Sequence, residues 1–379
     1  MPRSCPPLRF SHLPPEIHIR CVQLACESDF IENHAYRTAR SLTLVSKYFV
    51  SVTTPILYHR LFLTGRSKIL LLSRTFRTRP QLASCVTQIL LSDRRSRDRQ
   101  PRDGSGNVFN MTDRYDDDDA ELEVPPTLAF EMPRTREGRI ERLQRLQSWL
   151  AQRSQALSVF RSAILHILAL TSPYLRTLTI LLYGHYDRNA DSGLSDALAM
   201  PFPALKELTI CEASLTLPWA RIVLPSLRSL HLAAGVGPSL AAALCSVGNS
   251  CPRLARLRLT EPLIDALFTD ALSRVLGGPT TRVYQPITGS SGLYARSPTT
   301  RLPTSLARFI IQPTPFHLRG PPVQEGPNLF QQLTALAEQF NILELVPSAP
   351  TNYQSERYPL SAAICDWFDV LSGGRGCWC

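Results

Sequence analysis

The chain has 379 residues, 44% of them hydrophobic, which is more than twice the usual domain size and enough apolar material to bury a core through most of its length. No run reaches the roughly 18 to 20 uninterrupted apolar residues of a membrane helix, and Met1 to Pro7 lacks the apolar centre of a secretory signal; a soluble cytoplasmic or nuclear protein with no membrane partner is expected. The ten cysteines are scattered singly with no Cys-x-x-Cys pair, and Cys21, Cys85 and Cys211 sit inside apolar patterns, so they read as small buried hydrophobes rather than disulfide partners.

The formal net charge is +10, and of the 41 basic residues only Lys47, Lys68 and Lys206 are lysines. Such a balance favours acidic partners or nucleic acid. The arginines are nevertheless spread along the chain rather than gathered in one stripe, and they accompany high alanine and proline usage of the kind that genomic coding bias produces; both points blunt the inference from charge, and nucleic acid is not the expected partner.

The first informative segment is Leu13-Pro14-Pro15-Glu16-Ile17. Two prolines suit a first helical turn, where the missing N–H groups would be unpaired anyway, and Glu16 favours the positive dipole end, so a helix is expected to begin here. Ile17, Cys21 and Leu24 form one apolar face and Ile19 with Val22 a second, the pattern of a helix sandwiched on two sides. After a polar stretch over 27–40, Leu42, Val45, Phe49 and Val52 keep helical spacing. Thr53-Thr54-Pro55 then reads as a stop and a new start, with Thr54 as N-cap of a third short helix.

Leu-Pro-Pro-Glu-Ile at 13–17, Leu-Val-Ser-Lys-Tyr-Phe at 44–49 and Pro-x-Leu-Tyr at 55–58 together resemble the F-box of many fungal proteins. Residues 27–40 depart from that family's shorter, more apolar segment. The resemblance implies a module that docks on the small adaptor subunit of a cullin-RING ubiquitin ligase, and Leu13, Pro14, Ile17, Leu24, Val45 and Phe49 are its candidate ligase-binding residues.

A run of arginines from Arg94 to Arg102 is followed by Asp113, Asp116 to Asp119, Glu121 and Glu123 with no apolar periodicity, so 93–138 is expected to be a disordered charged linker. The four successive aspartates lack the alternate spacing and closing glutamate of a calcium loop. Beyond them, Ile140, Leu143, Leu146, Leu150, Leu157, Phe160, Ile164 and Ile167 predict one long helix, or two in line, over 139–170, ending at Thr171-Ser172-Pro173.

The second half carries a recurring apolar-x-x-apolar-x-apolar phrase. Its copies are Leu175/Leu178/Ile180, Leu205/Leu208/Ile210, Leu227/Leu230/Leu232, Leu254/Leu257/Leu259, Leu306/Phe309/Ile311 and Phe340/Leu343/Leu345, with Val86/Ile89/Leu91 as an earlier one. Successive starts from Leu175 lie 30, 22, 27, 52 and 34 residues apart. Four of these steps are near the length of the leucine-rich repeat, which the phrase resembles. That family's Asn or Cys, eight residues after the lead, is replaced here by Tyr183, Ala213, Gly235 and Pro262, so an irregular array is expected. Leu240 to Val247 and Asp265 to Leu276 read as its helices, and the Gly-, Pro- and Ser-rich 277–303 as a loop. The residues between the apolar ones, Thr177, Thr179, Glu207, Thr209, Ser229, His231, Arg256, Arg258, Arg308 and Ile310, would then face a concave strip. All but Ile310 are candidate partner-binding residues.

Nucleophile elbows, phosphate-binding glycine loops, dinucleotide fingerprints and zinc-protease motifs are missing from the sequence, so no catalytic residues, metal or cofactor are assigned. His12 and His18 are expected at the surface or at a boundary. The ending Cys377-Trp378-Cys379 resembles the Cys-x-Cys prenylation ending of some small GTPases. Without a nucleotide-binding domain it reads as a flexible tail.

The fold expected is thus α/β: a short N-terminal helical F-box-like module over 1–64, a connecting helix and first strand over 65–92, the charged linker, an irregular leucine-rich-repeat solenoid over 139–371 and a tail over 372–379. Its expected function is a non-enzymatic substrate-recognition adaptor, a monomer within a complex, that holds the ligase adaptor subunit and a protein target. The rival readings are a repeat scaffold with no ligase link and a basic nucleic-acid-binding protein.

Overall fold

The computed structural model describes residues 14–27, 34–94, 135–183, 194–212, 221–233, 239–262, 264, 266–278, 302–313, 326–347, 358 and 360–378. The charged run within 95–134 and the loop over 279–301 lie outside the described residues.

The Pro14 carbonyl accepts the Ile17 N–H at 3.0 Å and so opens α1 (Pro15–Glu27) where the prolines predict it. α2 (His34–Thr43) begins in the polar stretch over 27–40 and runs three residues past it, and α3 (Lys47–His59) follows after a turn. The expected 42–52 helix is therefore divided. Ser46 breaks it, because its hydroxyl accepts the Phe49 N–H at 3.3 Å and makes it the N-cap of α3. The expected restart at Thr54 is also corrected, since α3 runs through Pro55 without a break. The Thr53 and Thr54 hydroxyls do not cap. They fold back at 2.6 Å onto the carbonyls of Phe49 and Val50 in the preceding turn.

α3 passes straight into β1 (Arg60–Thr64), a strand inside the expected N-terminal module. Gly65, at φ 90, makes the sharp turn from β1 into α4 (Arg66–Thr78), a backbone state that glycine adopts without strain. A 3-10 turn (Pro80–Cys85) leads to β2 (Gln88–Ser92). α5 (Arg136–Thr171) is the predicted long helix, 36 residues, capped by the Thr135 hydroxyl on Gly138 N–H. It is the one described helix with the length and mean hydropathy of a membrane span, yet its apolar residues Phe160, Ile164, Ile167 and Leu168 lie in the core.

Thereafter strands and helices alternate. β3 (Thr177–Leu182), β4 (Glu207–Glu212), β5 (Ser229–Ala233), β6 (Arg256–Thr260), β7 (Arg308–Gln312) and β8 (Leu343–Leu345) coincide with the six phrases. Between them come the short α6 (Leu194–Leu198), α7 (Ser239–Ser250), α8 (Ala266–Leu276) and α9 (Gly326–Gln339). The eight strands form one parallel sheet in strict chain order, β1 to β8. Parallel pairing in register stacks equivalent positions: Leu178, Leu208, Leu230, Leu257, Phe309 and Leu343 make one row, and Ile180, Ile210, Leu232, Leu259, Ile311 and Leu345 the next. Nearly all of these are buried in a single cluster with the helices of that face. Each fully buried leucine contributes about 1.5–3 kcal/mol.

The opposite face is covered as well. α10 (Leu360–Leu371) and a 3-10 turn (Gly376–Trp378) lie across it, so residues 372–378 are not the flexible tail expected. Cys377 and Trp378 are buried. Gly376 has φ 56, and a Cβ there would stand 2.6 Å from Val370 Cγ2 and 2.9 Å from the Asp366 carbonyl. Only glycine allows the chain to fold back on α10 this closely.

Candidate functional site

The N-terminal helices present the first candidate surface. α1 buries Val22 and His18 against α2 and α3, while Ile17, Cys21 and Leu24 point to water, so α1 is not sandwiched and Cys21 is not a buried hydrophobe. His18, expected at the surface or at a boundary, is buried with its Nδ1 at 3.1 Å from the Tyr48 hydroxyl, and the two rings meet edge to face. That contact fixes α1 against α3. Ile17 is 46%, Leu24 52% and Val45 66% exposed, and Leu44, which the sequence reading did not single out, reaches 84%. Ile19, Tyr48 and Val50 are exposed beside them. Pro14 is exposed as well, and Leu13 lies outside the described residues. Phe49 differs from the other candidates: it is half-buried against Val22 and Ala39 and belongs to the small interior of these helices.

The second candidate is the sheet face opposite the aliphatic core. The register arranges the interleaved residues as predicted: Thr177, Glu207, Ser229, Arg256 and Arg308 form one row, and Thr179, Thr209, His231, Arg258 and Ile310 the next. It is not an open strip, however. Thr177, Thr179, Ser229 and His231 are buried, His231 completely, and Ile310 lies under Cys377 and Trp378. The reason is the third row of that face. Leu181, Cys211 and Ala233, together with Leu90 and Tyr183, form an apolar seat that takes up Leu360, Ala363, Trp367 and Tyr358. The sequence signal for this cover was the helical spacing of Leu360, Ala363, Trp367 and Leu371, whose partner surface could not be read from the spacing itself.

The cover is held by rings and by arginines. The Phe62 ring lies 5.7 Å from Trp367 and 5.6 Å from Phe368, and His231 meets Tyr358 edge to face at 4.6 Å. The Arg256 guanidinium sits 5.0 Å over the Trp378 ring, donates to Ser229 at 3.0 Å and pairs with Glu207 at 3.6 Å. Arg308 pairs with Glu344 at 2.7 Å and donates to the Trp378 carbonyl. Arg258 donates to Gln312 at 2.8 Å. Tyr183 donates its hydroxyl to the Tyr358 carbonyl at 2.9 Å, and its N–H to Asp93 at 3.0 Å. Asp93 thereby ties the end of β2 to the end of β3.

Burial sets the protonation states here. His231 is held well below its ordinary value by loss of hydration and by the nearby Arg258 charge, so its ring is neutral. The Cys377 thiol is pushed up to about 12 by burial and stays protonated, a poor nucleophile. Burial raises Glu207 too, against the pull of Arg256 and Lys206. A cavity of about 30 Å³ remains between cover and sheet, beside Thr177, Thr179, Glu207, Thr209, Asp366 and Trp367. It has room for roughly two waters and none for a small-molecule substrate. Among the described residues no group of three His, Cys, Asp or Glu side chains is placed to hold a metal ion.

No family model matches the chain, and no curated protein or solved structure matches it either.

Proposed function

We propose that the chain is a non-enzymatic substrate-recognition adaptor of a cullin-RING ubiquitin ligase, with α1 to α3 as an F-box-like module and β1 to β8 as an irregular leucine-rich-repeat array that holds a protein target. The observation that carries the reading is the exposure of Ile17, Leu24, Leu44 and Val45 together on so small a helical unit. Apolar side chains grouped this way on a surface mark a protein interface. Ile17, Leu44 and Val45 also fall within two of the three segments that resemble the F-box. The repeat reading draws support from the match between the six phrases and six parallel strands in chain order. In this reading the protein works in the cytoplasm or nucleus, as a monomer within its complex.

Co-purification of the full chain with the ligase's small adaptor subunit tests the proposal. Binding by the wild type and its loss in an Ile17→Asp, Leu24→Asp double variant is the expected result. A wild type that does not bind overturns the ligase reading in favour of a scaffold without it.

A further inference from the structure

Three neighbouring strands are each preceded by a cation: Arg176 before β3, Lys206 before β4 and Arg228 before β5. The sheet's hydrogen bonds extend to these positions, since the Lys206 N–H donates to the Arg176 carbonyl at 2.8 Å and the Arg228 N–H to the Lys206 carbonyl at 2.8 Å. The three residues therefore stand in one row, about 4.8 Å apart from strand to strand. All three are exposed, and no described carboxylate lies within ion-pair distance of any of them. Glu207, next to Lys206 in the chain, is half-buried and engaged with Arg256. Tyr174, 46% exposed, stands two residues ahead of Arg176 at the end of the row.

Like charges directly opposite each other on paired strands oppose folding. One acidic residue at the middle position would relieve the repulsion, yet the row keeps three cations facing water. The facing surface that the sequence pointed to is closed by α10 and the 3-10 turn, whereas this edge of the same sheet is open.

We infer that the Arg176–Lys206–Arg228 row is a docking site for an acidic polypeptide segment, whose Asp or Glu carboxylates lie across the three cations. Successive residues of an extended chain rise about 3.3 Å each, so three or four acidic residues span the row. A nucleic acid fits it less well. Such binding rests on many phosphate contacts or on a series of stacking aromatics, whereas this row passes into Ala255 and Ala307 on one side and into Thr87 and His59 on the other, with Tyr174 beside it. In the adaptor reading the segment belongs to the target. The docking itself does not depend on the ligase and is tested without it.

The experiment is fluorescence anisotropy of a labelled hexaglutamate peptide titrated with the full-length chain, beside a labelled ten-nucleotide oligouridine. The peptide is expected to bind with an affinity that falls as salt is raised. An Arg176→Ser, Lys206→Ser, Arg228→Ser variant should weaken it at least about tenfold, the effect of losing charge-assisted hydrogen bonds. The charge-matched control Arg74→Ser, Arg139→Ser, Arg221→Ser should bind as the wild type does. Lys206→Glu should abolish binding with an unchanged or higher melting temperature, a pairing that misfolding does not produce. Equal loss in both triple variants, absence of peptide binding by the wild type, or tighter binding of the oligonucleotide through the same three residues would each overturn the inference.

Discussion

The N-terminal helices and the sheet use similar apolar residues in opposite ways. In the sheet, Leu178, Leu208, Leu230 and Leu257 are buried side by side, and the register repeats them strand after strand. Among the described residues of α1 to α3 only Val22 and Ala39 are fully buried hydrophobics, while Ile17, Leu24, Leu44 and Val45 face water. Stacking gives each of the six inner strands two neighbours to bury against, whereas three short helices enclose little volume of their own. What the helices leave exposed is thus better read as a surface for a partner than as a poor core.

The largest predicted effect breaks the stacked side of that comparison. Leu257→Ala, in the middle of a row with no exposed neighbour, should cost about 2–5 kcal/mol, measured by chemical denaturation as a drop in midpoint with little change in slope. A loss under about 1 kcal/mol would mean that the rows are loosely packed.

Gly376→Ala should cost less, about 1–3 kcal/mol, since the left-handed backbone at this position disfavours alanine and its methyl meets Val370 and the Asp366 carbonyl. Near-ultraviolet circular dichroism should show Trp367 and Trp378 losing their fixed surroundings while the far-ultraviolet spectrum persists. If the tryptophan signal is untouched, the cover does not depend on that turn.

Acidification sharpens the contrast between the two faces of the sheet. His231 has a folded value depressed below the ordinary one of 6.5, so the unfolded chain takes up a proton that the folded one refuses. Its stabilising contribution is complete above about 6.5 and is lost as pH falls below that. Thermal melts between about pH 7.5 and 5.5 should show falling stability in the wild type and a shallower fall in His231→Gln. His166, lowered mainly by burial, adds a smaller term of the same sign. Identical slopes in the two proteins would remove His231 as the cause.

The smallest effect belongs to the helices. Ile17→Asp with Leu24→Asp alters two side chains that are 46% and 52% exposed and should lower stability by no more than about 1 kcal/mol. A large loss would place these side chains in an interior and end the surface reading.

Much of this architecture was legible in the chain. The phrase repeats at positions whose side chains alternate, and alternation is a local property of a strand, so six strands and the long helix α5 fell where spacing put them. β1 was missed because its phrase, Tyr58/Leu61/Leu63, begins inside α3 and carries no proline, so it looked like part of a helix. Ser46 and Pro55 were misjudged for a related reason: a serine at helical spacing and a proline after threonines are each compatible with a break or a continuation, and tertiary packing chose between them.

The candidate strip shows where local pattern stops. That Thr177, Glu207, Ser229, Arg256 and Arg308 share a row follows from the sequence alone, through register and period. That the row is largely covered does not, because the covering residues come from the far end of the chain and meet the sheet only in three dimensions. The same holds for Arg176, Lys206 and Arg228, which lie 30 and 22 residues apart. They looked like scattered charge, and only parallel pairing placed them side by side.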